Sequence, residues 1–245
     1  MKQTQLIMGM PVTIDLPDRP TGMSGVREIM GRVFDFFRSV DEKFSPFKEK
    51  SEVTRINTGE ITRKNYSPEM QAILSLAEKT KEQTGGFFNV FFRGKFDPSG
   101  IVKGWAISQA AEIITEAGYK SFVVEAGGDL QATGKNWRVG IRNPFNKAQI
   151  VKVLKINGQG VATSGNYERG KHIYIPQTGR MADEIASLTV IADDVCEADR
   201  FATAAFAMGQ KGIAFIENSS ELEGYMIDRD GRATFTSGFN HYVAS

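Results

Sequence analysis

The sequence predicts an α+β fold: a single domain over residues 1–245 in which a mixed or antiparallel sheet is flanked by helices. Helix-period and strand-period segments intermix without a regular βαβ alternation, which separates this pattern from a doubly wound sheet. From Ser121 onward strand-like runs dominate, and no internal repeat, low-complexity stretch or charge-biased linker marks a second domain.

The elements follow in order. Residues 12–16 fit a strand, closed by the turn-forming Pro17-Asp18-Arg19-Pro20. Val26, Ile29, Met30, Val33, Phe36, Phe37, Val40 and Phe44 then recur at helical spacing, an apolar stripe that reads as core rather than as a ligand box. Ser67-Pro68-Glu69 supplies an N-cap, a first-turn proline and an early acid, opening a helix that ends near Thr84-Gly85-Gly86. A third helix is predicted over 103–117, with Gly118 as its stop. Strands are predicted at 122–125, 137–141, 150–156 and 188–192, with a helix after the last that Gly209 terminates. Residues 225–227 and 233–236 flank an Asp-Gly turn, a hairpin signal.

Composition narrows the function. Hydrophobic residues make up 41% and charged residues 24% of the chain, as in an ordinary globular protein. Thirty basic against 29 acidic residues give a formal net charge of +1, so no global attraction to nucleic acid or to a membrane surface is expected. Cys196 stands alone, which excludes an intramolecular disulfide and a CxxC metal site, and its neighbours predict a buried, inert thiol. With no signal-like segment and no apolar run of membrane-spanning length, the sequence reads as a cytoplasmic protein.

Chemistry concentrates in loops and on one helix. Asp199 and Thr203 stand four residues apart among Ala198, Phe201, Ala202, Ala204, Ala205 and Phe206, so they share one face of a buried helix. A buried carboxylate needs compensation. A salt bridge for Asp199 with a back-bonding Thr203 is one solution; a hard divalent cation such as Mg²⁺ held by both oxygens is the other. Asp97-Pro98-Ser99-Gly100-Ile101-Val102-Lys103-Gly104 enters a helix, where amides and Lys103 suit an anion, although an ordinary strand-to-helix turn has the same form. Gly127-Gly128-Asp129 follows a buried strand, either as a simple hairpin or as a place where a ligand approaches the backbone. Thr163-Ser164-Gly165-Asn166-Tyr167-Glu168-Arg169 suits a nucleotide or a solvated turn. His172 is placed on a short strand, Ile173-Tyr174-Ile175, beside Pro176-Gln177-Thr178-Gly179, and is either structural or catalytic.

Taken together and in this order, these motifs resemble the FAD:protein FMN transferase, or ApbE, family. The resemblance starts at Met8-Gly9-Met10 and continues through Val40-Asp41-Glu42-Lys43-Phe44-Ser45-Pro46-Phe47 and Ser51-Glu52-Val53-Thr54-Arg55-Ile56-Asn57 to Ala198-Asp199 and Ala202-Thr203. It implies a T-fold-like domain that takes FAD as substrate with Mg²⁺. The implied reaction moves the FMN moiety to a threonine or serine hydroxyl of an acceptor protein and releases AMP. By the same resemblance, the metal ligands would be Asp199, Thr203 and the Gly100 carbonyl, and His172 would act with Asp199 and Thr203 in catalysis. The flavin nucleotide site would comprise Asn57, Lys103, Gly127, Gly128, Asp129, Ser164, Gly165, Tyr167 and His172. Two alternatives share these features: metal-dependent hydrolysis of FAD to FMN and AMP, and a flavin-binding protein without turnover. The chain departs from the family pattern at Ile175, where a carboxylate near His172 is common, and at Ser108, where an Asp expected to touch the nucleotide is common. It also departs in lacking a leader and lipobox.

Overall fold

The computed structural model describes residues 1–17, 22–166 and 173–244. Among these, eight strands form one sheet: β1 (Lys2–Ile7), β2 (Met10–Asp15), β5 (Phe122–Ala126), β6 (Asp129–Thr133), β9 (Gly160–Gly165), β10 (Ile185–Ala192), β11 (Glu223–Asp228) and β12 (Ala233–Phe235), lying side by side in that order. Every neighbouring pair in it is antiparallel. A short hairpin, β3 (Phe91–Phe92) with β4 (Lys95–Phe96), and a long ribbon, β7 (Trp137–Asn143) with β8 (Asn146–Ile156), stand apart from it. The helices are α1 (Gly22–Phe44), α2 (Glu52–Asn57), α3 (Pro68–Gln83), α4 (Ser99–Glu116), α5 (Val195–Ala207) and α6 (Gly212–Glu217).

Strand alternation sorts the sheet residues into two faces. On one face Val12, Ile14 and Val124 pack with α1, α3 and α4, and Leu188, Val190 and Met226 pack with α5 and α6. On the other, Leu130, Val161, Ile191, Tyr225 and Ile227 are covered by the β7–β8 ribbon and by Phe239 near the C-terminus. α5 contributes to both helix-side clusters, Val195 and Cys196 to one and Phe201 and Phe206 to the other, so the body is continuous. The α+β expectation holds, and the main sheet is wholly antiparallel.

Local signals explain most boundaries. Ser67 Oγ accepts the Met70 amide with Pro68 inside the first turn, and Thr84 closes α3. α1 buries Val26, Met30, Val33 and Phe37 completely, as its stripe requires. Three strands of the main sheet, and the short β3–β4 hairpin outside it, escaped prediction. β1, sequence KQTQLI, buries only Ile7 of its six residues, so an edge strand left little apolar pattern. β6 and β9, DLQAT and GVATSG, are inner strands made of small and polar residues. α4 begins at Ser99, a turn earlier than predicted, because Asp97 Oδ1 accepts the Ser99 amide at 3.0 Å. The predicted strand at 173–175 is replaced by a single bridge between Tyr174 and Met181.

Candidate functional site

Four elements converge at one end of the sheet. The β5–β6 turn is Gly127-Gly128, both at positive φ (59° and 96°), a two-residue connection that matches the right-handed strand twist. The hairpin reading and the ligand-approach reading of this motif are therefore compatible: the turn is tight, and both glycines line a cavity of 790 Å³. Glu125 Oε1 accepts the Gly128 amide at 2.9 Å and fixes the turn.

Asp129, the first residue after the turn, points to the helix side and is 1% exposed. Its Oδ1 accepts the Thr163 amide of β9 at 2.9 Å, and its Oδ2 pairs with Lys103 of α4. Asp199 on α5 is 3% exposed; its Oδ2 accepts the Gly104 amide at 2.8 Å, and its Oδ1 lies 3.4 Å from the Lys103 ammonium. The close approach of α4 and α5 depends on Gly104, where a Cβ would sit 2.7 Å from the Asp199 Cβ. Thr203 shares the Asp199 face, and its Oγ1 lies 3.5 Å from Ser164 Oγ. Asp199, Thr203, Lys103, Gly100, Ser164 and Gly165 all line the same cavity as the glycine turn.

The electrostatics of this cluster are unbalanced. Two buried carboxylates share one lysine, and burial, only partly offset by Lys103 and reinforced by Asp129, pushes the Asp199 carboxyl up to about 7. A second cation would relieve that cost. The donor set fits a hard one: carboxylate, hydroxyl and main-chain carbonyl oxygens, without thiolate or imidazole among the described residues. In a regular helix the Gly104 amide bonds back to the Gly100 carbonyl. Here that amide donates to Asp199 Oδ2 at 2.8 Å.

From this end the cavity passes around the glycine turn to the opposite face of the sheet. There Val123, Glu125, Leu130, Trp137 and Val139 line it, and Phe47, 93% exposed, stands at its margin. Phe92 stacks on Tyr174 with ring centroids 3.8 Å apart, and the Tyr174 hydroxyl donates to the Asn89 carbonyl at 2.6 Å, closing a wall beside Phe88.

Other predicted residues lie elsewhere. Asn57 does not reach the cavity: its amide donates to the Phe96 carbonyl and accepts the Phe96 amide, both at 2.8 Å, and so pins β4 to α2. Ser108 is also away from the cavity and donates to Asp194 Oδ2 at 2.6 Å. Asp194 is the N-cap of α5, so this departure bears on the α4–α5 junction rather than on a nucleotide contact. Ile175 packs on the apolar cluster under α5. Tyr167 and His172 lie outside the described residues. Cys196 is 7% exposed, and burial pushes its thiol far up, in keeping with an inert cysteine. Sequence reading did not assign Glu125, Trp137, Arg138 or Arg142 to the site; the last three lie in a carboxylate-free stretch from 130 to 167, and Glu125 stands just before the glycine pair.

The fold and cavity define an α+β domain with a pocket of two buried carboxylates and one lysine at one end of a long cleft that wraps an antiparallel sheet. The chain belongs to the ApbE family, whose model matches residues 8–95 and 92–226. The FAD:protein FMN transferase of Escherichia coli K12 is 33% identical over 150 residues, which cover 55% of this chain and 43% of that protein. The protein of the same name from Rhodobacter capsulatus is 33% identical over 129 residues, 48% of this chain and 25% of its own length. The matches thus span less than half of these relatives. The flavin transferase ApbE of Vibrio cholerae superimposes with a TM-score of 0.85 at 21% identity, covering 99% of this chain and 98% of its own. The ApbE protein of Thermotoga maritima gives 0.86 at 22% identity over 100% and 99%. These two likenesses establish the fold.

Proposed function

We propose that this protein transfers the FMN moiety of FAD to a threonine or serine hydroxyl of an acceptor protein, with Mg²⁺ as cofactor, AMP as the second product and the cytoplasm as its compartment. The observation that carries the reading is the pair of buried carboxylates, Asp129 and Asp199, sharing the single ammonium of Lys103 beside a cleft of nucleotide size. Family membership and the names of the relatives support FAD as the substrate.

Asp199, Thr203 and the Gly100 carbonyl would hold the cation, and Asp129 would add to the negative field. When bound, Mg²⁺ offsets the diphosphate charge and stabilises the oxygens that gain charge as the linkage opens. Lys103 supplies a fixed positive charge beside the same site, held by the two carboxylates. The two glycines of the turn carry no side chains of their own, so a ligand can approach the protein backbone closely there. The acceptor hydroxyl oxygen attacks the phosphorus of the FMN half, the P–O–P bond breaks toward AMP, and the hydroxyl proton passes to a base. His172 is the candidate for that base, with Tyr167 in the flavin site. Water in place of the hydroxyl would give hydrolysis.

The test is incubation with FAD, Mg²⁺ and a candidate acceptor protein, followed by intact-mass analysis of the acceptor and quantification of AMP. A gain of one FMN per acceptor with equimolar AMP is expected. AMP with free FMN and an unmodified acceptor would reassign the protein to hydrolysis, and FAD binding without either product would overturn turnover altogether.

A further inference from the structure

Between residues 135 and 156 the chain carries Lys135, Arg138, Arg142, Lys147, Lys152 and Lys155 and no carboxylate, although the whole protein is nearly balanced at 30 basic and 29 acidic residues. This stretch is the β7–β8 ribbon with its lead-in. Its register places Arg138 directly opposite Lys155 and Gly140 opposite Val153, so each pair projects from the same side. Trp137, Val139, Leu154 and Ile156 take the other side and pack on the sheet. The outer side therefore presents Arg138 with Lys155, then Gly140 and Val153, then Arg142 with Ile150, whose side chain reaches over Gly140. Ile150 is 51% exposed. Like charges directly opposite each other on a sheet destabilise it. Among the described residues neither Arg138 nor Lys155 has an ion-pair partner that would offset this. β7 pairs only with β8, leaving its outer edge open among the described residues, and Arg138, Gly140 and Arg142 of β7 line the mouth of the cavity.

We infer that the outer side of the β7–β8 ribbon is the docking surface for the acceptor protein and fits an extended acidic segment that flanks the acceptor hydroxyl. This rests on the transfer reading above. Carboxylates of such a segment would pair with Arg138 and Lys155, its apolar side chains would rest on Val153 and Ile150, and its backbone could add to the open edge of β7. A protein segment suits the surface better than a nucleic acid because the middle of the strip is apolar and the chain as a whole carries only one net positive charge. Rim charges of this kind act mainly on encounter and on salt dependence.

The test measures binding without turnover. Fluorescence anisotropy would follow a labelled acidic peptide, a threonine flanked by aspartates and leucines, and its asparagine counterpart, with single-stranded DNA and phosphatidylserine vesicles as competitors; FAD binding is read in parallel from flavin fluorescence. The acidic peptide is expected to bind about tenfold more tightly than the neutral one. Lys155→Glu should weaken it by about tenfold and Lys155→Arg should restore it, with FAD affinity unchanged throughout. Equal binding of the two peptides, or displacement by DNA or vesicles in preference to the acidic peptide, would overturn the inference. A Lys155→Glu protein that keeps the peptide but loses FAD would instead assign the ribbon to the nucleotide. Absence of FAD binding by the wild-type protein, with the peptide preference intact, would count against the transfer reading alone.

Discussion

Replacing Asp199 by Asn should make the metal-free protein more stable and deaf to magnesium. Burial lifts the Asp199 carboxyl from 3.8 to about 7, which corresponds to about 4 kcal/mol against folding once the group is ionised. The sign follows from proton counting. Between pH 4 and 7 the folded chain retains a proton that the unfolded chain has released, so stability falls as pH rises across that window. Asparagine removes the buried charge at constant size and keeps an oxygen for the Gly104 amide, now 2.8 Å away. Its NH₂ group meets the Lys103 ammonium unfavourably, which leaves a net gain of about 2 kcal/mol above pH 7, or a rise of roughly 4–8 °C in Tm for a chain of this length. The advantage should shrink as pH falls and be gone at about pH 3.5, where Asp199 is protonated in the folded and the unfolded wild-type chain alike. Saturating Mg²⁺ should raise the wild-type Tm by mass action and leave the variant unmoved. Scanning calorimetry at both pH values, with EDTA or Mg²⁺, decides the matter. A variant no more stable than wild type above pH 7 in EDTA, or one that responds equally to Mg²⁺, would refute the reasoning.

Gly104→Ala places a Cβ 2.7 Å from that of Asp199 and 3.0 Å from the Cys196 Cα; forcing α4 and α5 apart should cost about 1–3 kcal/mol in denaturant unfolding and remove the Mg²⁺ response. Asn57→Ala deletes both bonds to the Phe96 backbone, so stability should fall by about 2 kcal/mol while FAD affinity, read by flavin fluorescence, changes little. The opposite pattern would put Asn57 in contact with ligand. The Tyr174 phenol is held up to about 12 by burial, against 10.0 when free. Tyr225 and Tyr242 are also raised by burial, so phenolate absorbance should show a late-titrating group of tyrosines from which Tyr174→Phe removes one. Tyr174's contribution to stability should be whole below pH 10 and vanish as pH rises through about 12.

Much of this could be read from residue order, and the exceptions share a cause. α1 and α3 announce themselves by an apolar stripe and a Ser-Pro-Glu opening, signals that act within one element. Asp199 and Thr203 were visible as a polar pair on an apolar helix because their spacing alone places them on one face. The partners of Asp199 were not visible, since Gly104 and Lys103 lie about a hundred residues away in sequence and meet it only through packing. β6 and β9 were hidden because these inner strands, which border the cavity, carry Asp, Gln, Thr, Ser and Gly with only one branched apolar residue each, Leu130 and Val161. Asn57 was assigned by motif to the nucleotide site, yet its amide both donates to and accepts from the Phe96 backbone. A motif position reports that a residue is needed; the structure reports by which neighbour.

The pairing of β6 with β9 has a further consequence. Only Leu130 with Val161 and Gln131 with Gly160 join these strands, so the eight-stranded sheet is two four-stranded halves sewn together by two residue pairs. Asp129 extends the stitch by taking the Thr163 amide. The pocket lies on this seam. If the proposed ligand is held there by Asp129 and Lys103 on one side and by Asp199, Thr203 and Ser164 on the other, it would have to leave before the halves part. Occupancy would then act on the rate of unfolding, as a pin through a hinge does, and the loaded protein would outlast the empty one under proteolysis by slower opening.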